Sequence, residues 1–167
     1  MRRLCLLVAC AALAQPVHAI GAQTNADSLT IELLAARAML PHQSVKGALS
    51  IDPMVGTDGD APSTPKLGEL RAPNRTEALA KALSARVRSF GDLLNCTGQA
   101  PCAMSGSMAH LILSAPSIHG DSATVTATIH QNTSDARQSV DYETVLFTIT
   151  RSGRGWIVAS ELQLGIS

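Results

Sequence analysis

His110 and His130 stand out first, because each lies within a run of strand-type residues that would hold an imidazole on a sheet. A histidine titrates near neutral pH, and beside a carboxylate it can pass protons as a general acid or base. Asp141 and Glu143 lie on a neighbouring run, so His110 with Asp141 or Glu143 forms the candidate catalytic set. Neither these histidines nor His42 and His119 have the H-E-x-x-H or a comparable spacing that grips a metal. Asp52, Asp58 and Asp60 cluster, but Asp58-Gly59-Asp60 matches too few positions of a calcium loop and reads as polar loop. Ser105-Gly106-Ser107 lacks the nucleophile elbow G-x-S-x-G, and no Gly-rich phosphate loop follows a strand. No metal site and no cofactor are expected.

The cysteines speak to compartment. Arg2 and Arg3 precede an apolar run from Leu4 to Ala14, Pro16 breaks it, and Val17-His18-Ala19 supplies small residues for a peptidase. That order is a secretory signal peptide over residues 1–19, with cleavage after Ala22 the second choice. The run is too short to span a bilayer, which needs about 20 residues. Leu7-Val8-Ala9-Cys10 also resembles a lipobox, whose cysteine would carry lipid. Using it would leave only Leu4–Ala9 as the apolar region, so lipidation at Cys10 is the weaker reading. Of the 4 cysteines, Cys96 and Cys102 remain after processing, and an even pair in an exported chain reads as a disulfide. The expected destination is the periplasm or the medium.

The 167 residues have room for a single domain, residues 23–167. Lys plus Arg and Asp plus Glu are 13 each, so no basic excess exists to neutralise phosphates, and nucleic acid is excluded as a general partner. Aromatic residues are 2 %, too few for a platform that stacks sugars or bases. Arginine exceeds lysine, the bias of a GC-rich bacterial genome.

These residues must be positioned by a small set of elements. A helix is expected over 27–39, with Leu29, Leu33, Leu34 and Ala38 on one face and Pro41 ending it. Ala48-Leu49-Ser50-Ile51 reads as a brief strand, and 53–73 as a long loop rich in Gly, Pro, Asp and Ser. Asn74-Arg75-Thr76-Glu77 has the spacing of a capping box, and Leu79, Leu83, Val87, Phe90 and Leu94 extend a helical stripe over 74–94. Strands follow near 107–115, 122–131, 139–151 and 155–166. The fold class expected is α+β: two or three helices packed on a curved, mainly antiparallel sheet of four strands plus a short extra strand.

Two segments carry a resemblance. Ile118-His119-Gly120-Asp121-Ser122-Ala123-Thr124-Val125 is similar to the strand opening of the nuclear transport factor 2-like, cystatin-like cone superfamily. Arg151-Ser152-Gly153-Arg154-Gly155-Trp156-Ile157-Val158 is similar to its final hairpin. The resemblance implies a cone-shaped sheet wrapped by helices and carries no functional residue, since the superfamily hosts enzymes and binding modules alike.

The strands are apolar on both faces, and helices can cover only one. Met108, Ile112, Tyr142 and Leu146 are therefore the candidate binding residues, on a second sheet face. The function expected is non-catalytic: binding a small apolar ligand, or a protein partner such as a second copy, through that face. The alternative is a cone-pocket acid–base enzyme of the polyketide cyclase or isomerase type, working through His110 with Asp141 or Glu143.

Overall fold

Apolar residues at alternate positions make the C-terminal half a sheet, and helical spacing around Ile31, Ala35 and Met39 makes the N-terminal segment its cover. The computed structural model describes residues 18–42, 47–56, 67–96, 102–104, 108–132 and 140–166, with side chains from Asn25 onward apart from Leu67. The proposed signal segment up to Val17 and the lipobox cysteine lie outside the described residues.

The chain runs through α1 (His18–Met39), a single 3-10 turn (Leu40–His42), β1 (Ala48–Ile51), β2 (Met54–Gly56), β3 (Leu67–Leu70) and α2 (Pro73–Ala82). It continues through β4 (Arg86–Val87), α3 (Phe90–Leu93), β5 (Leu94–Asn95), β6 (Ala103–Met104), β7 (Met108–Leu113), β8 (Ser117–His119), β9 (Ser122–Asn132), β10 (Val140–Ser152) and β11 (Gly155–Ile166). Among the described residues no helix is long and apolar enough to cross a membrane.

The main sheet has 7 strands in the order β11-β10-β9-β7-β1-β4, with β8 also paired to β9. β1 runs parallel to both β7 and β4, and the remaining pairs are antiparallel. This corrects the expected four-stranded, mainly antiparallel α+β sheet: the protein is mixed α/β, with three helices and eleven strands among the described residues. The short strand at 48–51 is central to the difference. The chain leaves β1, crosses through α2 and returns as β4 in parallel beside it, the crossover that parallel pairing requires.

The expected helix over 74–94 is also corrected. α2 stops at Ala82, Ser84 takes a positive φ of 53°, and the N–H groups of Ser84 and Ala85 bond back to Lys81 and Ala80. The apolar stripe that suggested one helix serves two different places. Leu79 joins the core under α1, whereas Phe90 and Leu93 belong to a cluster with Ile112 and Met104. Ile112 alternates with Leu111 and Leu113 of the main core, so this second cluster lies on the opposite face of the sheet. The capping box does not form. Ala72 occupies the N-cap without a side-chain bond, and Pro73 starts the helix. Within the segment expected as loop, β2 and β3 pair as an antiparallel ribbon.

The second face is partly covered by the chain itself. α3 and the β5–β6 pair lie over Ile112 and Met108, and the disulfide between Cys96 and Cys102 closes the ends of β5 and β6. The Asn132 amide clamps this flap to β9 by accepting from the Met104 N–H at 2.7 Å and donating to the Met104 carbonyl at 2.8 Å. On the first face α1 is tied to the last hairpin by Asp27, which accepts from Trp156 Nε1 at 3.0 Å and pairs with Arg151.

Candidate functional site

Two groups of buried polar residues share one backbone carbonyl. The first begins at Asp52, which leaves β1 at its buried end. Its Oδ1 accepts the Met54 N–H at 2.8 Å and its Oδ2 accepts the Phe90 N–H at 2.7 Å. His110, on the paired strand β7, places Nε2 3.1 Å from Oδ2. On the other side of the ring, Ser50 Oγ lies 2.9 Å from Nδ1 and 3.2 Å from the Ala109 carbonyl, so its single proton serves one of these acceptors. Serine, histidine and carboxylate in a row have the composition of a hydrolytic triad. Here all three are 0 % exposed, so no substrate reaches them, and they act as a satisfied polar core.

His130 faces His110 across the β7–β9 pair. Phe90 lies against both imidazoles, at centroid distances of 5.4 Å to His110 and 4.4 Å to His130, and Tyr142 closes the other side of His130 at 6.0 Å. His130 Nε2 is buried with no partner among the described residues. Burial chiefly, with His110 adding to it and Asp52 opposing, pushes the His130 pKa down from 6.5 to about 4. Burial alone would raise the Asp52 carboxyl, but the bonds from His110, Met54 and Phe90 outweigh it and hold the pKa below its ordinary 3.8.

The second group begins at Glu32, a carboxylate on the core side of α1 that is 1 % exposed. Arg71 Nε donates to its Oε1 at 3.3 Å and Arg75 Nε to its Oε2 at 2.7 Å. The Arg71 guanidinium is itself buried, with Nη1 donating to the Asp52 carbonyl at 2.9 Å and Nη2 to the Leu113 carbonyl at 3.0 Å. Burial draws its pKa down against the attraction of Glu32. Asp52 is thus held by His110 through its side chain and by Arg71 through its backbone.

Above Glu32 opens a cavity of about 530 Å³ between α1, β2 and the first turns of α2. Leu29, Val55, Ala78 and Ala115 give it aliphatic walls, while Glu32, Arg71 and Arg75 form a charged floor. Asn25 and Asn74 add amides at its lining. Its volume is that of an ordinary small-molecule site, and its lining joins apolar walls to a few fixed polar groups.

The residues expected from sequence fall elsewhere. His110 is not joined to Asp141 or Glu143. The register sets Glu143 opposite Ile129 and Asp141 opposite Gln131, in step with core residues, whereas His110 aligns with His130 and Tyr142 on the other face. Glu143 accepts from Gln163 Nε2 at 2.8 Å and lies 3.4 Å from His42 Nδ1. Met108, Ile112 and Tyr142 do share a face, and the α3 flap lies over Met108 and Ile112. Leu146 lies further along, half-buried between Thr126 of β9 and Leu162 of β11. His119 is exposed at the end of β8, bonded to Ser117. Among the described residues no cluster of three or more His, Cys, Asp or Glu could hold a metal. Asp58 and Asp60 lie outside the described residues.

Sequence reasoning missed Glu32, Arg71 and Arg75. Glu32 had a signal: it lies one turn from Leu29 and Ala36 on the apolar side of α1, where a lone carboxylate needs a counter-charge. Arg71 had none, because only the folded ribbon of β2 and β3 turns it inward. No family model, curated protein or solved structure matches the chain.

Proposed function

We propose that this is an exported, non-catalytic domain that holds a small ligand in the cavity between α1, β2 and α2. The observation that carries the reading is the cavity itself: aliphatic walls over a floor whose charged groups are already fixed by mutual ion pairs and by backbone carbonyls. Such a floor gives up little order when a ligand arrives. The acid–base alternative lacks an opening, since His110 is buried and its carboxylate partner Asp52 is sealed with it. The disulfide is in keeping with an oxidising compartment.

The test is a panel of small organic acids, amides and alcohols, followed by amide chemical shifts. Shifts centred on Leu29, Val55 and Ala78, and lost in Ala78→Trp, are the expected result. A panel with no binder at millimolar concentration, or binding indifferent to Ala78→Trp, removes the reading.

A second reading, association with another protein chain, has its own observation at the opposite end of the sheet. β11 is an edge strand of 12 residues, and Ile157, Leu162, Leu164 and Ile166 are exposed on it, Leu162 at 59 %. A long apolar edge is a template for further pairing. Light scattering should then give a mass above the monomer that falls to the monomer in Leu162→Lys. A wild-type monomer at all concentrations excludes self-association.

A further inference from the structure

We infer that the cavity takes a small aliphatic monocarboxylate, an inference that rests on the cavity being the ligand site. The charge on the floor selects the ligand. Arg71 and Arg75 share the Glu32 carboxylate, and Arg71 is drawn also to the Asp52 carboxylate, which does not line the cavity, so the positive charge left for a ligand is at most one and lies on Arg75. Arg71 offers a ligand little, because each of its three nitrogens already donates to a protein acceptor and its side chain is 2 % exposed. Arg75 has capacity. Its Nε donates to Glu32, its side chain is 23 % exposed and lines the cavity, and its Nη2 is buried with no partner among the described residues. Guanidinium donors without acceptors in a partly dehydrated site attract an anion, and a carboxylate oxygen is the acceptor they fit.

One surplus charge matches a monoanion. A phosphomonoester, with close to two negative charges, would meet the buried Glu32 carboxylate with too little positive charge to offset it. The walls fix the remainder of the molecule. Leu29, Val55, Ala78 and Ala115 are aliphatic, and no aromatic ring is among the described lining residues, so the ligand body packs by shape and apolar burial instead of ring stacking. Asn74 Oδ1 is engaged by the Arg75 N–H at 2.9 Å, which leaves its NH₂ as a donor for a second polar atom.

The experiment is calorimetric titration of the purified protein with hexanoate, hexanamide and hexyl phosphate. Hexanoate should bind at least about tenfold more tightly than either of the others, the effect of one charge-assisted bond. Arg75→Gln should abolish that preference while hexanamide still binds, with circular dichroism showing that the variant is folded. Arg75→Lys, which keeps the charge, should restore part of it and serves as the probe if the glutamine variant does not fold. Equal binding of hexanoate and hexanamide overturns the carboxylate assignment but leaves the cavity as a ligand site. Tighter binding of hexyl phosphate overturns the monoanion argument. If none of the three binds while other members of the panel occupy the cavity, this inference fails and the proposed function stands.

Discussion

Glu32→Ala is expected to lower the unfolding free energy by about 3–5 kcal/mol, the range found when one partner of a buried ion pair is removed. The cost comes from what the variant leaves behind. Arg71 cannot swing to solvent, because the Asp52 and Leu113 carbonyls hold its two terminal nitrogens in the interior. Its charge would then keep those two carbonyls and the attraction of the Asp52 carboxylate, which already has His110 and two backbone N–H groups as partners. Against these would stand the nearby Arg75, whose like charge Glu32 normally offsets. Loss of packing alone would cost far less, since truncation to alanine removes a single methylene along with the carboxylate. Glu32→Gln keeps the shape and one acceptor oxygen, so it should recover part of the loss but not all. Urea unfolding followed by circular dichroism measures both. A loss below about 1 kcal/mol for Glu32→Ala would mean that the Arg71 charge is neutralised by something other than this carboxylate.

The strands were the legible part of the fold. β9, β10 and β11 follow the expected boundaries within a residue or two, because alternation over 11 to 13 residues leaves few other solutions. The turns that separate them were legible for a local reason: Gly120 and Gly155 adopt φ of 59° and 120°, conformations that favour glycine. The middle of the chain was not legible. Leu79, Leu83, Val87, Phe90 and Leu94 keep a helical rhythm that the backbone does not follow beyond Ala82, since Ser84 turns left-handed and Val87 enters β4. A stripe records which residues need burial, and two cores on opposite faces of a sheet can satisfy one stripe. Nor could four residues of β1 announce that they would sit between two parallel neighbours, because pairing is decided by segments distant in sequence.

The site shows the same division. His110 was recognisable as a strand histidine, and its pairing with a carboxylate was expected from chemistry. The carboxylate was misassigned because Asp141 and Glu143 are on β10, separated from His110 on β7 by β9, and lie one step out of phase with the row of His110, His130 and Tyr142. Asp52 was grouped with Asp58 and Asp60 as loop. What distinguishes it is the β1–β7 pairing, which brings the end of β1 beside His110. The cavity had no sequence signature, since its walls come from α1, β2, α2 and the residue after β7. The carboxylate in α1 was the one trace of it on the chain.

Stability should fall by about 3 kcal/mol as the pH is lowered from 7 to 4, and His130 should account for that fall. In the folded protein the His130 pKa is about 4, below the 6.5 of the free side chain, so folding favours the neutral ring. The unfolded chain therefore binds a proton first. Its stabilising effect is whole above pH 6.5, declines as the pH falls through the interval, and is exhausted near pH 4. The groups around the ring leave no escape. His110 stands beside it on β7, Tyr142 on β10, Phe90 covers it from α3, and Asp52 is already engaged by His110 and two backbone N–H groups. Below pH 3.8 a second loss should begin with Asp52, whose lowered pKa makes it a stabilising carboxylate above its unfolded value and a lost one as it protonates. Urea unfolding at pH 7, 5.5 and 4 separates the two windows. His130→Gln should flatten the curve between pH 6.5 and 4 while leaving the drop below pH 3.8, whatever its absolute stability. A wild-type curve that is level from pH 7 to 4 would show that acid reaches His130 in the native state without cost, and that the flap of α3 and the β5–β6 pair does not seal the histidines from water.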